Sequence, residues 1–149
     1  MKISSLKNQD IGIIDKVSYR YRIALEQLFF HNPRQHFHIN AVKRMVEKYG
    51  NPKIIEKDGY LEMTSENCSD SHSLFISQGP VLIGILIYHQ NCPSNIEFIH
   101  IAINDEYING DLSDLLLKCV GYLKLENIKT YTIGYLERET REKKHFLVK

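Results

Sequence analysis

The sequence predicts an α/β protein in which a mixed, mainly antiparallel sheet has helices on both faces. Three apolar segments, SLFIS, VLIGILIYH and NIEFIHIAIN, follow one another with short turn-rich connections, which is typical of an antiparallel meander. The middle segment is apolar at consecutive positions, so both of its faces should be covered. A helix-periodic segment and a further strand-like segment, KTYTIGY, come next and indicate a βαβ crossover with parallel pairing.

Length and composition favour one domain spanning residues 1–149. The chain is 43% hydrophobic, which is enough for a single core, and 149 residues are too few for two ordinary domains. The net charge of +1 gives no overall field that would attract nucleic acid or a membrane surface. MKISSLKNQD lacks the apolar core of a signal peptide, and VLIGILIY is far shorter than the roughly 20 residues of a membrane helix. We therefore expect a cytoplasmic protein with no nucleic-acid and no membrane partner.

Two helices and then a hairpin are expected in the first half of the chain. From Asp10 to Phe30, apolar side chains recur every three or four residues, which predicts an amphipathic helix capped by Asp10. INAVKRMVEKYG predicts a second helix that ends at Gly50. Asp58 and Gly59 then predict the turn of a hairpin. KISSL and GYLEMT are alternatives for the first strand of the sheet.

Cysteine and histidine spacing predicts no metal site. Cys68, Cys92 and Cys119 show no CxxC or CxxH pattern, so we expect reduced thiols, with Cys119 as a small core residue. In HNPRQHFH, His36 and His38 share one face of an extended segment, but no third ligand or carboxylate cluster accompanies them. A polar connection between two helices accounts for that segment.

The element order, and the residues from Ile96 to Ile133 above all, resemble the GNAT superfamily of acyl-CoA-dependent N-acyltransferases. That family has an apolar strand ending in Val or Ile, an aromatic residue, an Arg/Gln-x-x-Gly-x-Gly/Ala turn and a leucine-rich helix. Without a gap, Ile103 matches the strand end, Tyr107 the aromatic residue and Leu115 a helix leucine. The resemblance implies a GNAT-like fold, acetyl-CoA as co-substrate, and transfer of an acyl group, with acetyl expected, to a primary amine.

The resemblance also assigns roles on the strand that ends at Ile103. Main-chain groups of Ile101 and Ile103 would pair with the pantetheine arm. Glu97 stands six positions before Ile103, where the histone-acetyltransferase branch has its glutamate general base. On a face shared with Ile99, Ile101 and Ile103, its carboxyl should have a raised pKa and take a proton from an ammonium through water. The alternative is a solvated, inert glutamate at the strand edge. His100, on the opposite face, is expected to be a hydrogen-bonded core histidine.

Substrate contacts and the general acid are harder to assign. In the GNAT layout the connection between the first two helices overhangs the acceptor site, which makes Arg34 and His36 candidate substrate contacts. The acceptor is expected to be a small-molecule or peptide amine, and a homodimer is a possible assembly. The family's late Tyr-x-x-x-Gly-Phe segment supplies a tyrosine general acid. Here REKKHF places Arg141 at the tyrosine and His145 at the glycine, so no general acid can be named.

The turn that would bind the CoA pyrophosphate departs from the family pattern. Ile108 occupies the Arg/Gln position, Asp111 the first glycine and Ser113 the second, while Gly110 lies one residue early. In the family, successive amides and the positive end of the helix dipole face the pyrophosphate. The resemblance assigns that contact to Asn109, Gly110, Asp111, Leu112 and Ser113. Because Asp111 and Asp114 also form an ordinary helix start, the alternative function is a GNAT-fold binding or regulatory protein without turnover.

Replacing Asp111 by glycine tests whether this turn is the phosphate site. A carboxylate there repels the pyrophosphate, so Asp111→Gly should bind acetyl-CoA more tightly, on the order of tenfold, even though it removes a helix cap. Calorimetric titration of both proteins at one ionic strength measures the difference. Equal affinities would show that the pyrophosphate binds elsewhere.

Overall fold

The computed structural model describes residues 11–30, 46–103, 112–133 and 145–147. The strands are β1 (Ile11–Ile14), β2 (Val17–Ser18), β3 (Pro52–Lys57), β4 (Tyr60–Ser65), β5 (His72–Gln78), β6 (Val81–Cys92), β7 (Asn95–Ile103), β8 (Thr130–Ile133) and β9 (His145–Leu147). The two longer helices are α1 (Arg22–Phe30) and α2 (Leu112–Leu123). None of the helices in these ranges is long and apolar enough to cross a membrane.

The described strands form two sheets, one of six strands and one of three. The larger has the order β1-β5-β6-β7-β8-β9, and the smaller has the order β2-β4-β3. From β1 to β7 all pairing in the larger sheet is antiparallel, which confirms the predicted meander. After α2, β8 returns parallel to β7, and β9 pairs antiparallel with β8. The predicted βαβ crossover and the mixed, mainly antiparallel sheet are therefore both confirmed.

Helices cover both faces of the larger sheet, as predicted. We call the side of the larger sheet that α2 covers face one. The helix residues that cover it are Leu115, Leu116, Cys119 and Val120. Face two is closed by α1 and the smaller sheet, through Leu25, Leu28, Leu61 and Met63. The central strand β6 contributes Leu86 to face one and Ile85 and Ile87 to face two. Its uninterrupted apolar sequence is explained by this double coverage.

The N-terminal segment differs from the prediction. The expected helix from Asp10 to Phe30 is wrong in its first half, because β1, β2 and a 3-10 turn at Tyr19–Tyr21 precede α1, which begins at Arg22. β1 is rich in β-branched isoleucine and gains a partner in β5, and this pairing outweighs the helical spacing. β1 is therefore the first strand of the larger sheet. GYLEMT lies in the smaller sheet instead, while KISSL and Asp10 lie outside the described residues.

Two turns agree with the sequence. Asp58 and Gly59, between β3 and β4, have φ of 55° and 81°, as a two-residue hairpin turn requires. Residues 46–49 are helical and end at Gly50, which has φ of 81° and whose amide donates to the Val46 carbonyl oxygen at 2.8 Å. The predicted helix end at Gly50 is confirmed, and the predicted start of that helix lies outside the described residues.

Gly50 and Gly59 form a matched pair for substitution, since both have φ of 81°. A Cβ at Gly50 would lie 2.7 Å from the Cβ of Glu66 and 3.0 Å from the amide nitrogen of Asn67, whereas at Gly59 it would meet nothing within 4 Å. Gly59→Ala should cost about 1–2 kcal/mol for the left-handed backbone alone. Gly50→Ala should cost a further ~1–3 kcal/mol from overpacking. Urea unfolding measures both losses, and equal losses would contradict the steric explanation.

Candidate active site

A β-bulge in β7 determines which of its side chains reach each face of the larger sheet. Across β6 and β7, Ile87 pairs with His100 and Tyr88 pairs with Phe98. Ile99 is therefore an extra residue in β7, and the alternation of side chains shifts by one position at this point. The prediction from the sequence assumes that side chains alternate strictly between the two faces of the strand. That assignment of faces holds only on one side of the bulge.

The bulge separates residues that were expected to share a face. Ile101 and Ile103 lie with Phe98 in the face-one cluster, whereas Ile99 lies in the face-two cluster. The prediction that Glu97 shares its face with Ile99, Ile101 and Ile103 is therefore wrong for the last two. The side chain of Glu97 points to face two, where it meets a polar group.

Glu97 is buried and hydrogen-bonded to His89. Only 2% of Glu97 is exposed, so it is not a solvated residue at the strand edge. Its Oε1 lies 2.7 Å from Nε2 of His89, the residue directly opposite on β6. The His89 side chain is 14% exposed, and its ring meets the edge of Tyr49 with centroids 6.0 Å apart. The imidazole of His89 thus links a buried carboxylate to solvent.

His100 is a buried histidine on face two. Its Nε2 lies 3.0 Å from the Ser65 hydroxyl oxygen and 3.1 Å from the Gly50 carbonyl oxygen. Burial lowers the pKa of His100 to about 4, against the opposing effect of the hydrogen bond to Gly50. The neutral ring therefore joins β7 to the end of β4 and to Gly50, which precedes β3. The prediction of a hydrogen-bonded core histidine is confirmed, although the bulge places it on the face opposite Phe98.

The loop before β5 brings a thiol and a carboxylate beside His89. Cys68 Sγ lies 3.4 Å from Asp70 Oδ1, and each lies within 4.8 Å of a ring nitrogen of His89. Burial, together with the hydrogen bond and charge of Asp70 and the charge of Glu97, raises the pKa of Cys68 to about 11. Cys68 is therefore a protonated thiol at neutral pH and not a nucleophilic thiolate. Cys119, in contrast, is a buried core residue of α2, as predicted.

Sequence reasoning missed Cys68, Asp70 and His89. Their spacing matches no metal or nucleophile motif, because the three residues meet only through strand pairing. In the β5–β6 hairpin, His72 lies opposite Tyr88, so the residues just before His72 come near His89. The hairpin itself was predicted. Its residue pairs, counted from the turn outward, would have placed the residues before His72 near His89.

β8 pairs with only part of β7. Asn95–Phe98 pairs with Thr130–Ile133, so the described part of β8 lies beside the first four residues of β7 and not beside Ile101 or Ile103. Side chains fix this register, since Asn95 Nδ2 donates to Thr132 Oγ1 at 3.0 Å and the Thr130 hydroxyl donates to Asn95 Oδ1 at 2.7 Å. The main-chain groups assigned to the pantetheine arm therefore lie beyond this pairing.

The other predicted site residues lie at or beyond the limits of the described residues. α2 begins at Leu112 and includes Ser113, with Asp114 in its first turn, where a negative charge favours the helix dipole. Outside the described ranges are Arg34, His36, Asn109, Gly110 and Asp111. Their assigned roles remain predictions.

Comparison with family models and with curated proteins gives no match to this chain. Among solved structures it is similar to a GNAT family acetyltransferase from Elizabethkingia anophelis with acetyl-CoA bound, at 16% identity and a TM-score of 0.44. That similarity covers 85% of this chain and 65% of the other. It is also similar to a variant of a spermidine N-acetyltransferase from Vibrio cholerae, at 11% identity and a TM-score of 0.46, over 85% of this chain and 70% of that one. At these values the similarities carry no conclusion about activity.

The lowered pKa of His100 predicts a specific loss of stability in acid. The folded value of about 4 lies below the unfolded value of 6.5, so the unfolded chain binds the proton first as the pH falls. This contribution to the free energy of unfolding is complete above about pH 6.5 and is lost between there and pH 4, on the order of 3 kcal/mol in all. Urea unfolding between pH 4 and 7.5 measures it.

Two variants isolate the His100 contribution from those of other groups. His100→Gln removes the titrating ring, so the slope of stability against pH should become shallower than in the wild-type protein between pH 4 and 6.5. His72→Gln, at an exposed position of β5, should keep the wild-type slope. A slope unchanged in His100→Gln would contradict the prediction.

Proposed function

We propose that this chain is an acyl-CoA-dependent N-acyltransferase that transfers an acetyl group from acetyl-CoA to a primary amine, with Glu97 as the general base. The observation that carries the proposal is the buried carboxylate of Glu97, held at 2.7 Å by the imidazole of His89. A general base needs a fixed position beside the reacting group and a route by which its proton leaves. The His89–Glu97 pair would supply both.

The reaction requires the removal of two protons from nitrogen. The amine arrives as an ammonium ion, and Glu97 accepts one proton, directly or through a water molecule. The nitrogen lone pair then attacks the thioester carbonyl carbon, a C–N bond forms and the C–S bond breaks. CoA leaves as a thiolate and takes up the second proton from the new amide nitrogen. No oxidant or metal ion is needed for this step.

His89 would act as a positioning residue and as the proton exit. Glu97 is only 2% exposed, so its carboxylate exchanges protons with bulk water poorly. The His89 side chain is 14% exposed and hydrogen-bonded to it, so a proton can pass from Glu97 to the ring and on to solvent. The same hydrogen bond restricts the rotation of the carboxylate. Both effects would keep Glu97 ready for the next turnover.

The state of Cys68 favours direct attack over an acyl-enzyme. An acyl-cysteine intermediate requires a thiolate. The pKa of Cys68 is raised to about 11 by burial and by neighbouring negative charge, so almost all of the thiol is protonated at neutral pH. Glu97 and His89 would therefore act on the amine and not on this cysteine.

The proposed cofactor site follows the strand pairing. The described part of β8 pairs with Asn95–Phe98, which is compatible with a pantetheine arm beside Ile101 and Ile103. In the same proposal the pyrophosphate lies at the start of α2, at Asn109–Ser113. Arg34 and His36 would contact the acceptor amine. The acceptor belongs to the small-molecule or peptide amines.

Glu97→Gln tests the proposed general base. Glutamine keeps the size of the side chain and can still hydrogen-bond to His89, but it cannot take a proton. The rate of acetyl transfer at neutral pH should fall by about 10²-fold or more, with nearly unchanged affinity for acetyl-CoA. A panel of amines assayed for CoA thiol release gives the rate, and calorimetry gives the affinity.

Glu126→Gln, at an exposed position after α2, is the matched control and should retain wild-type activity. Wild-type turnover of Glu97→Gln between pH 6 and 9 would remove Glu97 from the mechanism. Binding of acetyl-CoA without transfer to any amine would favour the alternative of a GNAT-fold binding protein. No binding of acetyl-CoA at all would overturn the proposed function.

A further inference from the structure

We propose that Cys68, Asp70 and His89 form a binding site for a divalent transition-metal cation of the zinc type. The site lies where the loop before β5 meets the end of β6, on face two of the larger sheet. It shares His89 with the proposed acyl transfer, but that reaction needs no metal ion, so the site can be tested by binding alone.

The donor atoms are already close to the geometry of a zinc site. Zinc binds sulfur at about 2.3 Å and nitrogen or oxygen at about 2.0 Å, which places the ligand atoms of a tetrahedral site about 3.3–3.8 Å apart. Cys68 Sγ and Asp70 Oδ1 lie 3.4 Å apart, within that range. All three donor atoms lie within 4.8 Å of one another, so small side-chain movements would bring His89 into place.

The donor set favours zinc over calcium or magnesium. One sulfur, one imidazole nitrogen and one carboxylate oxygen are ligands typical of zinc, whereas calcium and magnesium prefer oxygen alone. With three protein ligands, the fourth position of a tetrahedral site remains for water. Asp70 is exposed, so the site opens to solvent on that side and a cation can enter.

Glu97 supplies the outer shell that a metal-binding histidine usually has. Histidines that bind metals almost always hydrogen-bond a carboxylate or carbonyl through their second ring nitrogen, which fixes the ring and its tautomer. His89 Nε2 makes this contact with Glu97 Oε1 at 2.7 Å. Binding of the cation through Nδ1 would keep this contact.

The loop that carries Cys68 is held in place by its own hydrogen bonds. The Cys68 amide donates to the Ser65 carbonyl oxygen at 3.1 Å, and the Ser71 amide and hydroxyl both donate to the Cys68 carbonyl oxygen, at 3.0 and 2.6 Å. Ser65 is in turn 3.0 Å from Nε2 of buried His100. The loop is thereby anchored to the core, which reduces the entropy lost when a cation binds.

The surrounding charge favours a cation. Asp70 and Glu97 are the carboxylates whose charges act on the Cys68 sulfur. Negative charge that disfavours a bare thiolate stabilises a bound divalent ion at the same position. A cation would balance the charges of the thiolate and of Asp70.

Titration of the chelator-treated full-length chain with Zn²⁺ tests the proposal, and Co²⁺ provides a spectroscopic probe of sulfur ligation. We expect one Zn²⁺ per chain and a thiolate-to-cobalt charge-transfer band with Co²⁺. Cys68→Ser should abolish that band and weaken Zn²⁺ binding by roughly 100-fold, and Asp70→Asn should weaken it by at least about tenfold. Glu97→Gln should weaken it by about 10–100-fold through His89.

Two controls separate this site from other donors in the chain. Cys92→Ser, at the exposed end of β6, and the double variant His36→Gln with His38→Gln should keep wild-type Zn²⁺ affinity and the cobalt band. Loss of binding in either control, with binding retained in Cys68→Ser, would overturn the proposal. So would a wild-type chain that binds no Zn²⁺. Circular dichroism of each variant confirms that the fold is kept.

Discussion

The extra residue Ile99 in β7 is the constraint on which the site depends. Ile87 pairs with His100 and Tyr88 pairs with Phe98, so Ile99 is an extra residue between these pairs and the side-chain alternation of β7 shifts there. Apolar Phe98 and Ile101 can then both face α2, while the polar groups of Glu97 and His100 both lie on face two. Strict alternation would bury His100 against the leucines of α2 without the partners it has on face two. The bulge therefore sorts the polar residues of a nearly continuous apolar strand onto one side.

The same burial has different consequences for each ionisable group on face two. It keeps His100 neutral, with a pKa lowered to about 4, so that residue acts as a hydrogen-bonding link between β7 and Gly50. It keeps the thiol of Cys68 protonated, with help from the charges of Asp70 and Glu97. His89 combines partial exposure with a direct contact to the buried carboxylate. Proton transfer and cation binding both converge on His89 for that reason.

Much of the fold could be predicted from the sequence because local patterns determine it. The uninterrupted apolar sequence of β6 predicted its central position in the sheet. Asp58 and Gly59 predicted the turn between β3 and β4, and the leucine spacing predicted α2. The helix expected from Asp10 failed because the pairing of β1 with β5 outweighs local propensity. The site was harder to predict for two reasons. A β-bulge such as the one in β7 has no clear sequence pattern, and Cys68 comes near His89 only through the pairing of β5 with β6. Glu97 was identified through the resemblance to the GNAT superfamily, whereas its hydrogen-bond partner His89 was not identified.

The two uses proposed for His89 place opposite demands on its ring. As a proton exit, the ring must be able to take a proton from Glu97 through Nε2 and release it to solvent. A cation on Nδ1 would fix the tautomer with a proton on Nε2, which could then only donate to the carboxylate. Glu97 could then no longer pass its proton to His89. Cation binding and proton removal would therefore oppose each other in one molecule, even though each rests on the same 2.7 Å hydrogen bond.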